Sequence, residues 1–308
     1  MPKEKERKRK TLSITSTFLL SFGISAIFVW LVNPFDNPET ATAEVTTQPI
    51  QQSKREGLYV LVRLQKMELE LHDENGLVKT LPILSVGRPG SYYETIGGTY
   101  TNDYKIPLHL SSLGHVYMPY SVHVFGNYFI HGVPYYPNGD RVSSAYSGGC
   151  IRLTDENASI VYNFVQPGMP ITIVKEDVSE FTPTQVASSS FTSAEMSNLM
   201  AASISLEFLS QDDEHIIDTN GITKTTRRNI LPRLITNGDS SVSLLYAKSL
   251  GEKSFLDAMN KKAEALGLTN TTFVAIDSPA ITSLEDYIRF MNYIHTYKSY
   301  LLTIGDKK

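Results

Sequence analysis

Phe129-Ile130-His131-Gly132-Val133-Pro134-Tyr135-Tyr136-Pro137-Asn138-Gly139-Asp140-Arg141-Val142-Ser143-Ser144-Ala145-Tyr146-Ser147-Gly148-Gly149-Cys150-Ile151-Arg152-Leu153 holds the one cysteine of a 308-residue chain. An apolar run leads into His131, and a helical pattern opens after Arg152. The stretch therefore joins strands to a helix and carries chemistry at both ends. Thiol, imidazole, unobstructed glycine amides and a fixed positive charge are what a cysteine acyl-transfer site needs. His131 would be the base, the amides of the Gly148-Gly149-Cys150 turn would face an oxyanion, and Arg152 would hold a substrate carboxylate or carbonyl. The competing reading is structural. A lone cysteine is most often a small buried thiol, and on Gly-Gly-Cys alone that reading is the stronger one.

Outward from this stretch, the chain divides by composition. Lys3, Lys5, Arg7, Lys8, Arg9 and Lys10 crowd the first ten residues, and Thr11 to Val32 then carries no charge. Those 22 residues span about 33 Å as a helix, enough for a hydrocarbon core of about 30 Å. Residues 11–33 are expected to form a transmembrane helix, closed by Asn33-Pro34. The basic residues 1–10 keep the N-terminus cytoplasmic and leave the rest on the extracytoplasmic side of the cell membrane. A cleaved signal peptide is the rival, with Ala41-Thr42-Ala43 as its small-residue site. Residues 34–56, rich in Asn, Pro, Glu, Thr and Gln, read as a linker.

Residues 57–176 read as a mostly β, sandwich-like domain. Leu58 to Leu64 and Met67 to His72 are strands, the second alternating strictly. Leu77 to Val86 continues the sheet, and Val122 to His131 reads as one strand with a glycine in it. Thr154 offers a helix N-cap, Ala158, Val161, Tyr162 and Val165 recur at helical spacing, and Gln166-Pro167-Gly168 ends the helix. Met169 to Val174 is a last strand. Residues 177–190 form a second linker. Residues 191–308 are mainly α, with helices over Thr192–Leu209, Ile230–Ile235, Ser240–Leu250, Lys253–Leu266 and Ser283–Tyr300.

Net charge is −4, which excludes a nucleic-acid footprint over the whole chain. His109, His115, His123 and His131 match no common metal-ligand spacing, so no metal and no cofactor is expected. On an unbroken strand His123 and His131 would share a face; His123 is read as an ordinary strand histidine. Seventeen tyrosines, clustered from Tyr92 to Tyr162, suit a peptide-lined or sugar-lined groove or solvent-facing strand positions.

His131-Gly132, a tyrosine-rich loop and then Ser147-Gly148-Gly149-Cys150-Ile151-Arg152 resemble the L,D-transpeptidases of bacterial cell-wall synthesis, the YkuD type. Met118-Pro119-Tyr120 ahead of Phe125 to His131 fits that pattern, as do Val86-Gly87 and the segment Thr154 to Val174. The resemblance implies that Cys150 attacks the bond after the third residue of a peptidoglycan tetrapeptide stem. The acyl-enzyme would then pass to an amine of another stem as a 3→3 cross-link. It implies that the Gly132 carbonyl orients His131, that Gly149 and Cys150 amides form the oxyanion hole, and that Arg152, Ser147 and Tyr120 line the substrate site. Carbapenems would acylate Cys150. Two departures stand out: Gly148 replaces a frequent histidine, and Thr95-Ile96-Gly97-Gly98-Thr99 is a loose match to the usual Thr-Pro-x-Gly.

Residues 191–305 are similar, more faintly, to part of a serine D,D-carboxypeptidase of the penicillin-binding type, with Phe255 to Phe273 the nearest piece. The catalytic residues do not carry over. Glu195 and Asn198 stand where serine and lysine should be, Gly238 stands for an asparagine, and no Lys-Thr-Gly follows. A degenerate relative is implied. Two other functions share these features: an L,D-carboxypeptidase that passes the same acyl-enzyme to water, and a non-catalytic peptidoglycan-binding protein.

Overall fold

The computed structural model describes residues 57–176, 192–210, 212, 214–218 and 222–304. The expected transmembrane helix at 11–33 and both linkers lie outside the described residues. Among the described residues no helix is long and apolar enough to cross a membrane.

Two sheets form the N-terminal half. The first contains β1 (Tyr59–Arg63), β2 (Glu68–Asp73), β3 (Gly76–Pro82), β4 (Gly98–Thr101) and β9 (Pro170–Val174), in the order β3-β2-β1-β9-β4. The second runs β5 (Lys105–Ser111), β6 (Val116–Phe125), β7 (Tyr128–His131) and β8 (Ile151–Arg152). In β2 the sequence alternates, and so does burial: Leu69 and Leu71 are fully inside while Glu68 and Glu70 stay partly exposed. β1 is covered by both neighbours, which explains its unbroken Val60-Leu61-Val62. It pairs antiparallel with β2 and parallel with β9, Val60 opposite Ile171.

The single strand expected over Val122–His131 is two strands. Gly126 adopts φ +58°, and the chain turns there, so β6 and β7 form a hairpin with His123 opposite Phe129. That break separates the two histidines. His123 lies 2.5 Å from an Asp103 carboxylate oxygen and 3.0 Å from the Gly126 carbonyl, and it stacks on Tyr104. It is a strand histidine with its own partners.

Helix α1 (Asp155–Phe164) starts where Thr154 Oγ1 accepts the Asn157 N–H at 3.1 Å. Its Ala158 and Val161 enter the core, and burying such a valine contributes about 1.5–3 kcal/mol.

The C-terminal half contains α2 (Ser193–Phe208), β10 (Glu214–Asp218), β11 (Ile222–Thr226), α3 (Arg227–Asn237), α4 (Ser241–Leu250), α5 (Glu252–Ala265), α6 (Leu284–Tyr297) and the short α7 (Ser299–Leu302). It is not purely helical: β10 and β11 form an antiparallel hairpin with Glu214 opposite Thr226. Thr192 and Glu195 close a capping box at the start of α2. Every residue from Met196 to Glu207 is buried, so α2 is the central helix around which the others pack. Buried residues of both halves join one core, and residues 52–308 form one compact unit.

Candidate active site

The site is built on the β7–β8 pair. These strands run parallel, with Ile130 beside Ile151 and His131 beside Arg152. Both isoleucines are sunk in the core. By the period of two, His131, Arg152 and Cys150 therefore turn to the opposite face. The short β8 is held on both sides: Leu153 N–H donates to His131 O at 2.9 Å, and Arg152 N–H to Ser85 O at 2.9 Å.

His131 is almost completely buried, and its Nδ1 lies 2.6 Å from the Gly132 carbonyl. A carbonyl only accepts, so Nδ1 carries the proton and Nε2 is left with its lone pair, the tautomer a general base needs. Burial lowers the imidazole to about 4, outweighing the Gly132 bond, and the Arg152 charge acts in the same direction as burial. Gly132 has no room for a side chain, because an added Cβ would fall 2.4 Å from Asp155 Oδ1. Asp155 is occupied there, accepting Val133 N–H at 2.8 Å and Arg141 at 2.7 Å.

Cys150 is half-buried, with Sγ 3.5 Å from the Asn127 carbonyl. Burial pushes the thiol up to about 11, against the opposing pull of the Phe129 backbone and of Arg152. At neutral pH the pair is thiol and neutral imidazole. A site of this kind has no standing thiolate, and the proton must leave sulfur as attack occurs.

The glycine turn is tied within itself. Ser147 Oγ donates to Cys150 O at 2.5 Å and accepts Gly149 N–H at 3.0 Å. Of the three amides of this turn, that of Gly149, expected in the oxyanion hole, is already given to Ser147, and those of Gly148 and Cys150 have no acceptor among the described residues. Gly149 adopts φ +111°, and an added Cβ would meet Tyr128 Cε1 at 2.3 Å, so only glycine fits. Its carbonyl accepts from Thr95 Oγ1 at 2.8 Å, and Thr95 in turn accepts Gly87 N–H at 2.8 Å.

Of the residues expected from sequence, the structure brings together Cys150, His131, Gly132, Gly149, Ser147 and Arg152. Ser147 works inside the loop. Arg152 Nη1 binds the carbonyl and hydroxyl of Ser144, each at 3.1 Å, while its buried Nε has no partner among the described residues. Tyr120 adopts φ +53° and sets its ring 6.0 Å from that of Tyr162 on α1. It makes no hydrogen bond to Cys150 or His131. Sequence reasoning missed Thr95, Tyr128 and Asp155 as supports of the site. Thr95 alone left a signal, in the Thr-Ile-Gly-Gly stretch. A cavity of about 300 Å³ adjoins Ser85, Gly87, Glu94, Thr95 and Tyr146, and neither Cys150 nor His131 lines it.

Comparison with known proteins gives one family. The model of YkuD, the L,D-transpeptidase catalytic domain, matches residues 57–173. No curated protein matches the chain. Among solved structures, an L,D-transpeptidase from Mycobacterium smegmatis is 20% identical over 38% of this chain and 58% of its own, with a TM-score of 0.33. One from Stackebrandtia nassauensis is 18% identical over 44% and 64%, TM-score 0.35. L,D-transpeptidase 3 from Mycobacterium tuberculosis, in complex with a faropenem-derived adduct, is 20% identical over 39% and 60%, TM-score 0.31. The chain spans less than two-thirds of each of these relatives. Over residues 57–173, then, the chain is similar to the YkuD L,D-transpeptidase catalytic domain, and His131 and Cys150 both fall within that match.

Proposed function

We propose that this chain is a peptidoglycan L,D-transpeptidase, a cysteine acyltransferase held at the extracytoplasmic face of the cell membrane by residues 11–33. The observation that carries the reading is the His131 tautomer: Nδ1–H is fixed by Gly132 O, which leaves Nε2 as the base, on a strand paired with the one that directly follows Cys150. In the first half-reaction Cys150 Sγ forms a bond to the carbonyl carbon after the third stem residue, and its proton passes to His131 Nε2. The negative charge on the carbonyl oxygen is met by the Cys150 and Gly148 amides, the donors that the loop has not already used. The C–N bond then breaks, and the imidazolium gives its proton to the departing D-alanine amine. In the second half-reaction an amine of another stem attacks the thioester and loses a proton to His131. Sulfur departs and recovers that proton. Carbapenems would acylate the same sulfur by opening their β-lactam C–N bond.

The helical half supports a degenerate serine-enzyme ancestry. A Cβ added at Gly238 would lie 4.0 Å from Asn198 Nδ2, so two positions matched to that family's motifs face each other, while Glu195 serves the cap of α2. Covalent chemistry then belongs to Cys150 alone.

The test is incubation of the chain from about residue 52 with a disaccharide tetrapeptide, followed by mass spectrometry of the products. Cross-linked dimer with loss of terminal D-alanine is expected. Cys150→Ala should abolish it, and His131→Ala should lower the rate by about 10²–10⁴-fold. Tripeptide without dimer would reassign the protein as an L,D-carboxypeptidase. No product, with no carbapenem adduct on Cys150, would leave the peptidoglycan-binding reading.

A further inference from the structure

The C-terminal end of α6 touches the catalytic half at three successive residues. Thr296 O accepts from Lys175 Nζ at 3.0 Å. The Tyr297 hydroxyl accepts Lys175 N–H at 2.7 Å, and its ring lies so close to Gly97 that an added Cβ would fall 2.2 Å from Cζ. Lys298 Nζ reaches the Tyr128 hydroxyl at 3.5 Å. These contacts converge under the cysteine loop. The Tyr128 hydroxyl donates to Glu94 O at 3.3 Å, and the Glu94 carboxylate pairs with Lys175 at 3.0 Å. The next residue, Thr95, holds the Gly149 carbonyl, and the Tyr128 ring forms the surface on which Gly149 rests. Both supports of Gly149 are thus anchored by the end of one helix that lies outside the family match.

The charge at Lys298 is costly. Its ammonium is fully buried and shares Glu207 Oε1, at 3.2 Å, with Lys262 at 3.1 Å. One carboxylate serves two ammoniums, so the Tyr128 hydroxyl is the further acceptor that Lys298 takes up. An apolar side chain would fill such a place at less desolvation cost. A lysine supplies what a methionine lacks, a donor within reach of the Tyr128 hydroxyl.

We propose that Lys298 is a positioning residue for Cys150: through the Tyr128 hydroxyl it fixes the ring beneath Gly149, and the helical half thereby sets the geometry of the cysteine loop. The proposal rests on Cys150 being the nucleophile. The test uses the chain from residue 52 with Tyr128→Phe, Lys298→Met and Lys298→Arg. Two quantities are read: kcat and KM for transpeptidation, and the rate of iodoacetamide labelling of Cys150 across pH 6–11. Tyr128→Phe and Lys298→Met should lower kcat about tenfold with KM unchanged, since loop misplacement of this kind acts on the reacting geometry. Both should also shift the pH profile of labelling, and Lys298→Arg should restore most of each. Wild-type kcat and an unchanged labelling profile in Tyr128→Phe and Lys298→Met would overturn the proposal. If Lys298→Met does not fold, Tyr128→Phe decides alone, because it keeps the ring and leaves Lys298 paired with Glu207. If the variants alter labelling while no protein, wild type included, makes cross-links, the proposed function fails and the positioning role stands.

Discussion

The two halves bury ionisable groups with opposite results. In the β half, desolvation moves His131 down to about 4 and Cys150 up to about 11, so both are neutral at pH 7. In the helical half, burial also opposes the charge on Glu207, yet Lys262 and Lys298 more than offset it and its carboxyl stays below the usual range. Burial likewise lowers Lys262, to about 8, while Tyr128 and Glu207 outweigh burial at Lys298 and raise it. A partner of opposite charge decides the matter. Where its pull is strong the group is a charged structural member. Where its pull is weaker than desolvation, as with Arg152 at Cys150 and Asp155 at His131, the group is held neutral and can exchange a proton during a reaction.

Breaking the charged cluster should have the largest effect. Glu207 Oε1 takes Lys262, Lys298 and the Tyr293 hydroxyl together. Glu207→Gln would leave two buried ammoniums without a counter-charge, and denaturant unfolding should show a loss of about 3–5 kcal/mol. A loss below about 1 kcal/mol would mean that the cluster is not held by charge.

The neutral pair gives the next effect, through pH. The folded His131 value lies below the unfolded 6.5, so between 6.5 and about 4 the unfolded chain binds the proton first. Stability from this group is complete above pH 6.5 and falls as pH drops toward 4, by about 3 kcal/mol in all. In urea titrations across that window, His131→Gln should lose this slope; an identical slope in the variant would place the titration elsewhere. Cys150 acts on the alkaline side, with stability falling as pH rises from 9 through about 11.

The smallest effect separates the cluster from the helix that carries it. Thr192→Ala removes the cap at the far end of α2 from Glu207 and should cost about 1 kcal/mol, read as a shift in the urea midpoint. A cost as large as that of Glu207→Gln would show that helix ends, not the buried charges, dominate this half.

These differences were unevenly legible in the sequence. The Thr154 cap and the α-helical spacing were readable because they depend on neighbours a turn away, whereas Thr192 was read as the first residue of its helix and not as its cap. The nucleophile and base were readable because thiol, imidazole and glycine turn carry chemistry wherever they occur. The break at Gly126 was missed because an apolar run on both sides of a glycine fits one strand as well as a hairpin. The Glu207–Lys262–Lys298 cluster and the Lys298–Tyr128 contact were beyond reach: their members stand 55 and 170 residues apart, and no local pattern joins them. The β10–β11 hairpin was hidden by its polar composition.

The parallel pairing of β1 with β9 also orders events in time. Val60 meets Ile171, so the inner edge of β1 stays without its ladder until the ribosome has added the whole catalytic half. Closing so distant a contact is slow, and an open, apolar strand edge is a template for pairing with other chains. The emerging polypeptide is therefore most vulnerable to aggregation during synthesis of β2 through α1, and what ends that period is the arrival of Ile171-Thr172-Ile173.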